Sequence, residues 1–531
     1  MLMADAFLLV LHSHLPYVRG AGRWPHGEEW VHEAMLGTYL PLLVALHDLR
    51  EDGVPYRITI GLTPTLLEQL AHPEIKERFL EYVDDQIARA DQDHRAASTL
   101  RRRELSEFYR RTYRALREAF LLRFGRDIPA AFADLAASGH VQILTSAATH
   151  GYLPLLDEAS VHAQLALGRS TTKRITGIDA TGIWLPECAY RPGLESLLEA
   201  HALDHFFTDA PLLAGANVGA SAHRTRSWSI SPWSGSAFGS RNTTPGPAWA
   251  DVYRPYLVGE SAVSAFARHP EVSGQVWSAQ QGYPGDPAYR EFHRKDDRSG
   301  LRYWRVTDTQ RDLGAKDDYD VTAAADRVRL HAAHFASRVR DELALARSRS
   351  GSDAIVTTTF DSELFGHWWF EGVDWLSLVL RDLTDLTSTA AEQLAEAPPT
   401  ARIALREGSW GKASDHSTWL NEQTEWMWHA LARMCDELAL LRAEPPATGL
   451  RARAGSQALR ELLIAQSSDW PFLVTTGQAG QYATERFRMH EQRFARCVTI
   501  ARAGTDDDEA ELATLERVDD VFPDAALAGV G

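Results

Sequence analysis

The sequence has 531 residues, of which 44% are hydrophobic and 24% charged, the composition of a globular protein with a large core and about two to four domains. Its 55 Lys and Arg stand against 72 Asp and Glu, a net charge of −17. Nucleic acids and anionic membranes need a basic surface, so this charge argues against both as main partners, whereas a neutral polymer such as a glucan is compatible with it.

The N-terminal segment leads from Met1 through a short apolar run to His12. No basic region precedes the run, and a polar motif follows it directly, so we predict a first strand and not a signal peptide. No apolar run in the sequence approaches the roughly 18 residues that cross a bilayer. The cysteines Cys188, Cys435 and Cys497 are odd in number and far apart, which fits a reducing environment. We therefore expect a cytoplasmic protein with no membrane partner.

Short apolar runs rich in β-forming residues alternate with long helical stretches, the pattern of βα units and a parallel sheet. We predict seven strands, at residues 7–11, 57–60, 141–144, 182–185, 206–208, 275–277 and 355–359. Each run is followed at once by polar residues. Because the active sites of βα barrels gather at the carboxyl ends of the strands, this arrangement predicts an α/β barrel with one site at that end.

Three further segments define the expected domain organisation. Residues 72–128 are dense in Arg, Glu, Asp and Ala with helical spacing, which predicts a helical insertion between the second and third strands. Residues 213–262 are rich in Gly, Ser, Pro and Trp, which is typical of a lid or binding loop. We expect no strand after residue 385, so the catalytic domain would span 1–385, and an all-helical C-terminal domain with an acidic tail would span 386–531.

Two carboxylates stand where a buried strand runs into aromatic residues. Glu187 lies between Trp184 and Tyr190, and Asp361 follows Phe360. A carboxyl group ringed by aromatic side chains is poorly solvated, so its pKa is open to tuning. Two such groups across one cleft suit the cleavage or transfer of a glycosidic bond.

Each of these carboxylates has an alternative interpretation. Glu187 could be a structural residue that pairs with Arg191. For the second carboxyl role, Glu363 competes with Asp361, although its position further into the turn favours capping or binding.

His12 and His14 lie two residues apart beyond the first strand, so their side chains share a face if strand geometry persists there. They could hydrogen-bond a sugar hydroxyl or the carboxylate of a nucleophile. They could also be two of three metal ligands, or one of them could only satisfy a backbone carbonyl at the rim of the barrel.

A polar, glycine-containing segment at 408–421 contains Trp410 and Trp419. Indole rings stack on sugar rings, and although core packing is the default role of a Trp, this composition is a poor one for a core helix. We therefore predict that the segment belongs to the site. Asp469, beside Trp470 at a helix end, is either a further site residue or a helix cap.

Five separated segments resemble glycoside hydrolase family 57, in the order of that family. They are His12-Ser-His14-Leu-Pro16, Gly61-Leu-Thr-Pro64, Trp184-Leu-Pro-Glu187-Cys-Ala-Tyr190, Thr359-Phe-Asp361-Ser-Glu363-Leu-Phe365-Gly366-His367-Trp368-Trp369, and Ser409-Trp410-Gly with Asp415-His416 and Trp419. The long helical C-terminal part and the stretch Gly282-Tyr283-Pro284-Gly285-Asp286 are similar to the branching enzymes within the family.

The resemblance implies an α/β fold with a (β/α)7 barrel, a helical insertion and an all-helical C-terminal domain. It also implies retention of anomeric configuration without a metal or other cofactor. The expected substrate is an α-1,4-glucan such as glycogen or amylose, and the expected reaction cuts an α-1,4 bond and forms an α-1,6 branch. In this sequence Glu187 corresponds to the nucleophile and Asp361 to the general acid/base. The expected substrate-binding residues are His12, His14, Trp24 or Trp30, His150, Trp277, Trp410, Trp419 and Asp469.

One segment departs from the family pattern. Branching members often carry a Tyr on a loop over the site, and the corresponding residues 232–248 contain none. Trp233 and Phe238 could replace it, or could only pack the loop onto the barrel. The alternatives are therefore an α-amylase or 4-alpha-glucanotransferase of the same family, a metal-dependent carbohydrate deacetylase, and a non-catalytic glucan-binding protein.

Overall fold

A computed structural model gives the structure of the protein and describes residues 5–23, 26–216, 250–278, 282–445 and 447–527. Trp24 and the 232–248 loop, with Trp233 and Phe238, lie outside the described residues. The expectations placed on those residues stay predictions.

Nine strands in the described ranges form one curled sheet. They are β1 (Ala6–Ser13), β2 (Ile58–Leu62), β3 (Val141–Ser146), β4 (Gly182–Trp184), β5 (His205–Asp209), β6 (Tyr256–Val258), β7 (Ser264–Arg268), β8 (Ile355–Asp361) and β9 (Arg402–Ile403). The strand order is β8-β1-β2-β3-β4-β5-β7-β6-β9. Every neighbouring pair is parallel except β6 and β7.

Seven of these strands, from β8 through β1 to β5 and β7, form the expected (β/α)7 barrel. The two ends of this run meet, because the His269 N–H just after β7 donates to the Thr357 carbonyl of β8 at 2.7 Å. All eight residues of β1 are buried, as a parallel strand covered on both faces requires. The expected fold class is confirmed.

The sixth barrel strand is β7, and the prediction of a strand at 275–277 is wrong. Those residues end the helix Pro270–Trp277, whose buried positions Val272, Ser273 and Val276 have helical spacing. His269 begins the helix by accepting the Val272 N–H with its side chain. The expectation that no strand follows residue 385 is also wrong, since β9 pairs with β6.

Helices surround the barrel and form the C-terminal part of the chain. They are α1 (Glu28–Ala34), α2 (Leu40–Glu51), α3 (Pro64–Ala71), α4 (Pro73–Ala96), α5 (Leu100–Glu118), α6 (Ile128–Ala137), α7 (Glu158–Thr176), α8 (Leu194–Ala200), α9 (Ala210–Leu213), α10 (Pro270–Trp277), α11 (Val321–Ser350), α12 (Gly372–Asp382), α13 (Ala390–Glu396), α14 (Glu425–Ala443), α15 (Leu450–Ala465), α16 (Asp469–Thr476), α17 (Gly480–Ala503) and α18 (Glu509–Val518). No helix among the described residues combines the length and apolarity of a membrane span.

The two long helices α4 and α5 pack together between β2 and β3 in the chain, where the sequence predicts a helical insertion. The last helices, α14 to α18, share a hydrophobic cluster that also contains Tyr17 and Ala148. Tyr17 follows β1 and Ala148 follows β3. The C-terminal helices therefore rest on the carboxyl ends of the barrel strands.

Candidate active site

Glu187 lies on a turn with an unusual backbone conformation. β4 leads into one turn of 3-10 helix, Pro186–Cys188, in which Glu187 has φ 63° and ψ 23°. A non-glycine residue in this left-handed region costs on the order of 1–3 kcal/mol and persists only where its surroundings hold it. His150, which follows β3, has a positive φ of 56° as well. Both residues were singled out from the sequence, and both carry backbone strain at the strand ends.

The C-terminal part of the chain holds the Glu187 carboxylate. The indole N–H of Trp410 donates to Oε2 at 2.8 Å, and the Ser468 hydroxyl donates to Oε1 at 2.9 Å. Burial raises the pKa of Glu187, and these two hydrogen bonds oppose the rise. The described residues contain no hydrogen bond or ion pair between Glu187 and Arg191, so the structural pairing considered from the sequence is not formed.

A line of hydrogen bonds runs behind Glu187. His12 Nε2 lies 3.1 Å from His150 Nε2, and His150 Nδ1 lies 2.9 Å from Ser468 Oγ. Burial lowers the pKa of both histidines well below the usual value, so each is neutral with one N–H. Since Ser468 donates its single hydrogen to Glu187, it accepts from His150 Nδ1, and His150 Nε2 accepts from His12. His12 Nδ1 is then a bare acceptor, which agrees with its lack of a partner in the described ranges.

His14 places a positive charge near the nucleophile. Its Nδ1 lies 3.0 Å from Thr63 Oγ1, and its Nε2 lies 3.0 and 3.1 Å from the two carboxylate oxygens of Asp469. Burial alone would lower the pKa of His14, but the charge and hydrogen bond of Asp469 outweigh it and raise the pKa. The His14 charge in turn favours the ionised form of Glu187. The His14 ring is stacked on the His150 ring, with their centroids 3.8 Å apart.

Asp361, the last residue of β8, lies opposite His12 of β1 in the sheet register. Unlike Glu187, its carboxyl group makes no hydrogen bond to any described residue. Burial and the charges of Glu363 and Glu187 raise the pKa of Asp361 well above its usual value. The site therefore combines a hydrogen-bonded carboxylate with a carboxyl group that tends to keep its proton.

Glu363, the other candidate for the second carboxyl role, is engaged by Tyr39, whose hydroxyl donates to Oε1. Burial raises the pKa of Glu363 to about 7. Because Glu363 is bound to Tyr39 and Asp361 is unbound, the geometry favours Asp361 as the proton donor. The charge of Glu363 then acts on the pKa of Asp361.

Arg268 brings a second cation to the site from the end of β7. It is fixed by Asp209 of β5 through hydrogen bonds of 3.0 and 2.9 Å. Its guanidinium carbon lies 5.8 Å from the centroid of the Trp410 ring, and its charge opposes the rise in the pKa of Asp361. Arg268 therefore faces both the acid and the aromatic wall.

The two motif histidines do not form a zinc site in this arrangement. Both ring nitrogens of His14 are taken up by hydrogen bonds. The charge of Asp469 also raises the pKa of His14 despite its burial, which disfavours the neutral imidazole that a metal ligand requires. Among the described residues, Glu461, His490 and Asp519 form the one close group of three potential ligands, and it lies within the C-terminal helices. Arg493 donates to Asp519 there, so a cation already occupies the place of a metal charge.

The four expected tryptophans in the described residues lie in four different environments. Trp410 touches the nucleophile. Trp419 is 1% exposed and stacks on Tyr152 with centroids 4.5 Å apart, so it supports the Trp410 segment from behind. Trp30 lies on the rim, in edge contact with Tyr482 of α17 at 5.4 Å. Trp277, half-buried at the end of α10, makes no hydrogen bond or ring contact with the other site residues within the described ranges. The substrate roles of Trp30, Trp277 and Trp419 stay predictions.

Ser468 and Arg268 are the site residues that the sequence reasoning missed. Ser468 directly precedes Asp469, which the sequence singled out, and a run of two serines and an acid at a helix junction was the available signal. Arg268 follows the short apolar run of β7. It was overlooked because the sixth strand was placed in the following helix.

Comparison with known families follows the same division of the chain. The family model described as "Glycosyl hydrolase family 57" matches residues 8–405. The model described as "1,4-alpha-glucan branching enzyme, C-terminal" matches residues 427–528. The first match contains Glu187 and Asp361, and the second contains Ser468 and Asp469.

Named relatives agree with these matches. The chain is 40% identical over 518 residues to the 1,4-alpha-glucan branching enzyme TK1436 of Thermococcus kodakarensis, covering 93% of this chain and 73% of that protein. A crystal structure of TK1436 in complex with glucose has a TM-score of 0.89 at 37% identity and covers 99% and 96% of the two chains.

Two further proteins extend the comparison. Rv3031 of Mycobacterium tuberculosis, a probable 1,4-alpha-glucan branching enzyme, is 32% identical over 548 residues, which cover 97% of this chain and 96% of that protein. The alpha-amylase AmyC from Thermotoga maritima has a TM-score of 0.84 at 29% identity and covers 99% of both chains. The chain therefore belongs to glycosyl hydrolase family 57, as the resemblance of its motifs predicts.

Proposed function

We propose that the protein is a 1,4-alpha-glucan branching enzyme, which cuts an α-1,4 bond in a glucan and transfers the released segment to a 6-hydroxyl of a glucan chain. One observation carries the proposal: a hydrogen-bonded carboxylate, Glu187, lies close enough to act on the pKa of Asp361, a carboxyl group without a hydrogen bond among the described residues. Environments that push two carboxyl pKa values apart suit glycosidic chemistry. The matched C-terminal model and the relatives named for this activity support transfer as the outcome.

In the first half of the reaction, a Glu187 oxygen attacks the anomeric carbon of the donor glucan. The bond from that carbon to the 4-oxygen of the next glucose breaks, and Asp361 gives its proton to this oxygen. The products are a glycosyl ester on Glu187, a free 4-hydroxyl on the departing chain, and an ionised Asp361. The hydrogen bonds from Trp410 and Ser468 fix the attacking carboxylate before substrate arrives.

In the second half, the ionised Asp361 takes the proton of an acceptor 6-hydroxyl as its oxygen attacks the same anomeric carbon. The ester bond to Glu187 breaks, an α-1,6 linkage forms, and both carboxyl groups return to their first state. Two inversions at one carbon retain its configuration. Transfer exceeds hydrolysis only if the acceptor is bound and water is excluded.

The residues around the two carboxyl groups have separate tasks in this scheme. Asp469, held by His14, and Arg268 offer charged groups that can bind sugar hydroxyls. Trp410 offers its ring for stacking on glucose. Neutral His12 and His150 hold the hydroxyl of Ser468 in the orientation that Glu187 needs.

We assign the chemistry to a catalytic domain at 1–385, which contains the helical insertion at 72–128. We assign the closing of the site to the C-terminal domain at 386–531. The contacts of Trp410 and Ser468 with Glu187 support this division of labour. We infer that the natural substrate is a storage polymer of the glycogen type. We also infer that the protein acts on it in the cytoplasm. Fractionation of the source cells, with activity measured in each fraction, would test the location.

The decisive experiment is incubation with amylose, followed by enzymatic debranching, chain-length analysis and a count of new reducing ends. We expect new branch points to outnumber new reducing ends, and Glu187→Gln to produce neither. An excess of reducing ends would identify an α-amylase, and redistributed linear chains without branches a 4-alpha-glucanotransferase. Tight glucan binding with an unchanged profile would identify a binding protein.

A further inference from the structure

A large cavity lies on the flank of the barrel, away from the carboxyl groups that do the chemistry. Its volume is about 800 Å³, and its walls come from α1, α2, the inserted helices α4 and α5, the segment around residues 290–302, and α12. Neither Glu187 nor Asp361 lines it, and none of the three site histidines does. The established family activity assigns no task to this space.

One wall of the cavity carries two guanidinium groups that make no ion pair with a described carboxylate, although the charges of Glu371 and Glu33 act on Arg290 and Arg302 respectively. Arg290 packs on the Phe370 ring at 3.8 Å and donates to the Tyr109 hydroxyl at 3.3 Å, while its Nε, although buried, has no hydrogen-bond partner among the described residues. Arg302 donates only to the Phe292 carbonyl, at 2.7 Å. Neither arginine forms an ion pair with a described carboxylate. A buried guanidinium group that no carboxylate contacts directly is costly, so this wall favours the approach of an anion.

The charges around the two arginines reinforce this conclusion. Lys295 lies on the same wall, and burial together with Arg302, Arg290 and Lys295 lowers the pKa of His367 to about 3. Three cations therefore act on one point of the wall. Three other acids of the cavity, Asp48, Glu51 and Asp52, each pair with an arginine.

Groups that suit hydroxyls lie next to this cationic wall. Glu29 makes no side-chain hydrogen bond within the described ranges. Glu33 borders the cations directly, 3.6 Å from Lys295 and 3.9 Å from His367. The hydroxyls of Tyr82 and Tyr113 also have no hydrogen-bond partner among those residues. Carboxylates accept hydrogen bonds from sugar hydroxyls, and tyrosine rings pack on sugar faces. Such groups would repel a bare anion but match the sugar end of an anionic ligand.

We propose that this cavity binds a hexose phosphate. The phosphate would lie between Arg290 and Arg302, whose planar guanidinium groups match phosphate oxygens in geometry and charge. The hydroxyls of the sugar would lie against Glu29, Glu33 and the two tyrosine hydroxyls. The site is separate from the glucan cleft and is formed jointly by the barrel and the helical insertion.

Calorimetric titration of the full chain with glucose 1-phosphate and glucose 6-phosphate tests the proposal, with glucose and inorganic phosphate as comparison ligands. We expect at least one hexose phosphate to bind at least about tenfold more tightly than either comparison ligand. Failure of both to bind would overturn the proposal. Equal binding of inorganic phosphate would overturn the assignment of a sugar ligand.

Variants locate the bound ligand. Arg302→Gln should weaken the affinity at least about tenfold, whereas the control Arg381→Gln, at a paired arginine of the same cavity, should change it less than about threefold. Thr112→Trp, which fills the cavity from α5 without removing a charge, should abolish binding even if Arg302→Gln fails to fold. Unchanged affinity in Thr112→Trp or in a folded Arg302→Gln would place the ligand elsewhere and overturn the proposal. Branching of amylose by Arg302→Gln should match the wild type.

Discussion

The wall that holds Glu187 and the wall that holds Asp361 are built on opposite principles. Both oxygens of the Glu187 carboxylate accept hydrogen bonds, from Trp410 and Ser468, and the cation His14 is close by. The Asp361 carboxyl accepts none from the described residues and has acidic neighbours. One carboxylate is oriented by two donors that oppose the rise in its pKa, while the other is left unbound and its pKa is raised well above the usual value.

The groups that surround the two carboxyl groups come from different parts of the chain. Asp361 and its neighbour Glu363 belong to the barrel strand β8 and the turn after it. The donors to Glu187 come from residues beyond 405, after the last match to the catalytic family model. The acid is set by the barrel alone, whereas the nucleophile is set by the contact between the barrel and the C-terminal part. Variants on either side should therefore affect the acid and the nucleophile separately.

Glu187→Gln should have the largest effect. The amide keeps the size of the side chain but cannot form the glycosyl ester, so kcat for branching of amylose should fall by more than about 10⁴-fold. The thermal melt should stay close to that of the wild type. A variant that retained near wild-type kcat would remove Glu187 from the role of nucleophile.

Asp361→Asn should be next, with a loss of about 10²–10⁴-fold, the usual contribution of a general acid. Because a fluoride leaving group needs no proton, formation of the glycosyl-enzyme from α-maltosyl fluoride should be largely retained. Glu363→Gln, the matched change at the neighbouring acid, should be milder on amylose. The reverse order of the two variants would move the acid/base role to Glu363.

Ser468→Ala should reduce kcat by about 10–10²-fold, since one fixed donor to a reacting charge is lost. The hydrogen bond from Ser468 lowers the pKa of Glu187. Its removal raises that pKa, so the acidic limb of kcat/KM should shift to higher pH. Ser467→Ala, which removes the hydroxyl that donates to Asp469 at 2.6 Å, is the control. A loss of kcat in Ser468→Ala without a shift of the acidic limb would mean that the serine acts through packing alone.

The smallest effect concerns the helices that deliver Ser468. Burial raises the pKa of Glu461 on α15 to about 7. Below the unfolded pKa of about 4.3 the carboxyl is protonated in both the folded and the unfolded state, and burial costs nothing extra. As pH rises toward about 7, the unfolded state ionises more readily than the folded state, so the protein loses stability. Glu461→Gln removes this loss. The Tm of the variant minus that of the wild type should therefore increase between about pH 5 and about pH 8.

Glu485→Gln, at an exposed position on α17, is the control for that measurement and should show no pH-dependent difference in Tm. Burial lowers the pKa of His490, which bonds to Glu461, to about 3. Burial and the charge of Glu461 raise the pKa of Asp519 to about 6, so the Tm difference reports Glu461 together with the groups coupled to it. A Tm difference for Glu461→Gln that stayed flat with pH would show that the carboxyl keeps the same charge in both states.

The sequence predicted the barrel well where its strands are rich in aliphatic and β-branched residues. β1, β3 and β8 have this composition, and each ends at a residue of the site or shortly before one. β7 was missed because its sequence, Ser-Ala-Phe-Ala-Arg, is short and contains small residues, whereas Gln275-Val-Trp277 has the β-forming composition. Pro270 at the first helical position and the cap at His269 favour a helix there. Residue propensities alone do not take these two helix-start signals into account.

Within the site, residues in motifs were predictable and their partners were not. Local sequence context was enough to identify several of them: a position just after a strand marks Glu187, Asp361 and His12, and a polar loop marks Trp410. Ser468 is an ordinary residue type whose role depends on a contact 281 positions away in the chain. Nothing in local spacing reveals which serine reaches Glu187, because that depends on how the C-terminal helices dock on the barrel.

The strained backbone of Glu187 has a consequence for how the protein is made. Its left-handed conformation is fastened by the Trp410 backbone N–H, which donates to the Glu187 carbonyl at 3.1 Å. During synthesis the barrel strands up to β8 leave the ribosome well before Trp410, Ser468 and the helices around them. A nascent barrel thus has its acid in place while its nucleophile still lacks both hydrogen-bond donors. We therefore expect full cleavage activity only after the C-terminal helices have emerged and docked.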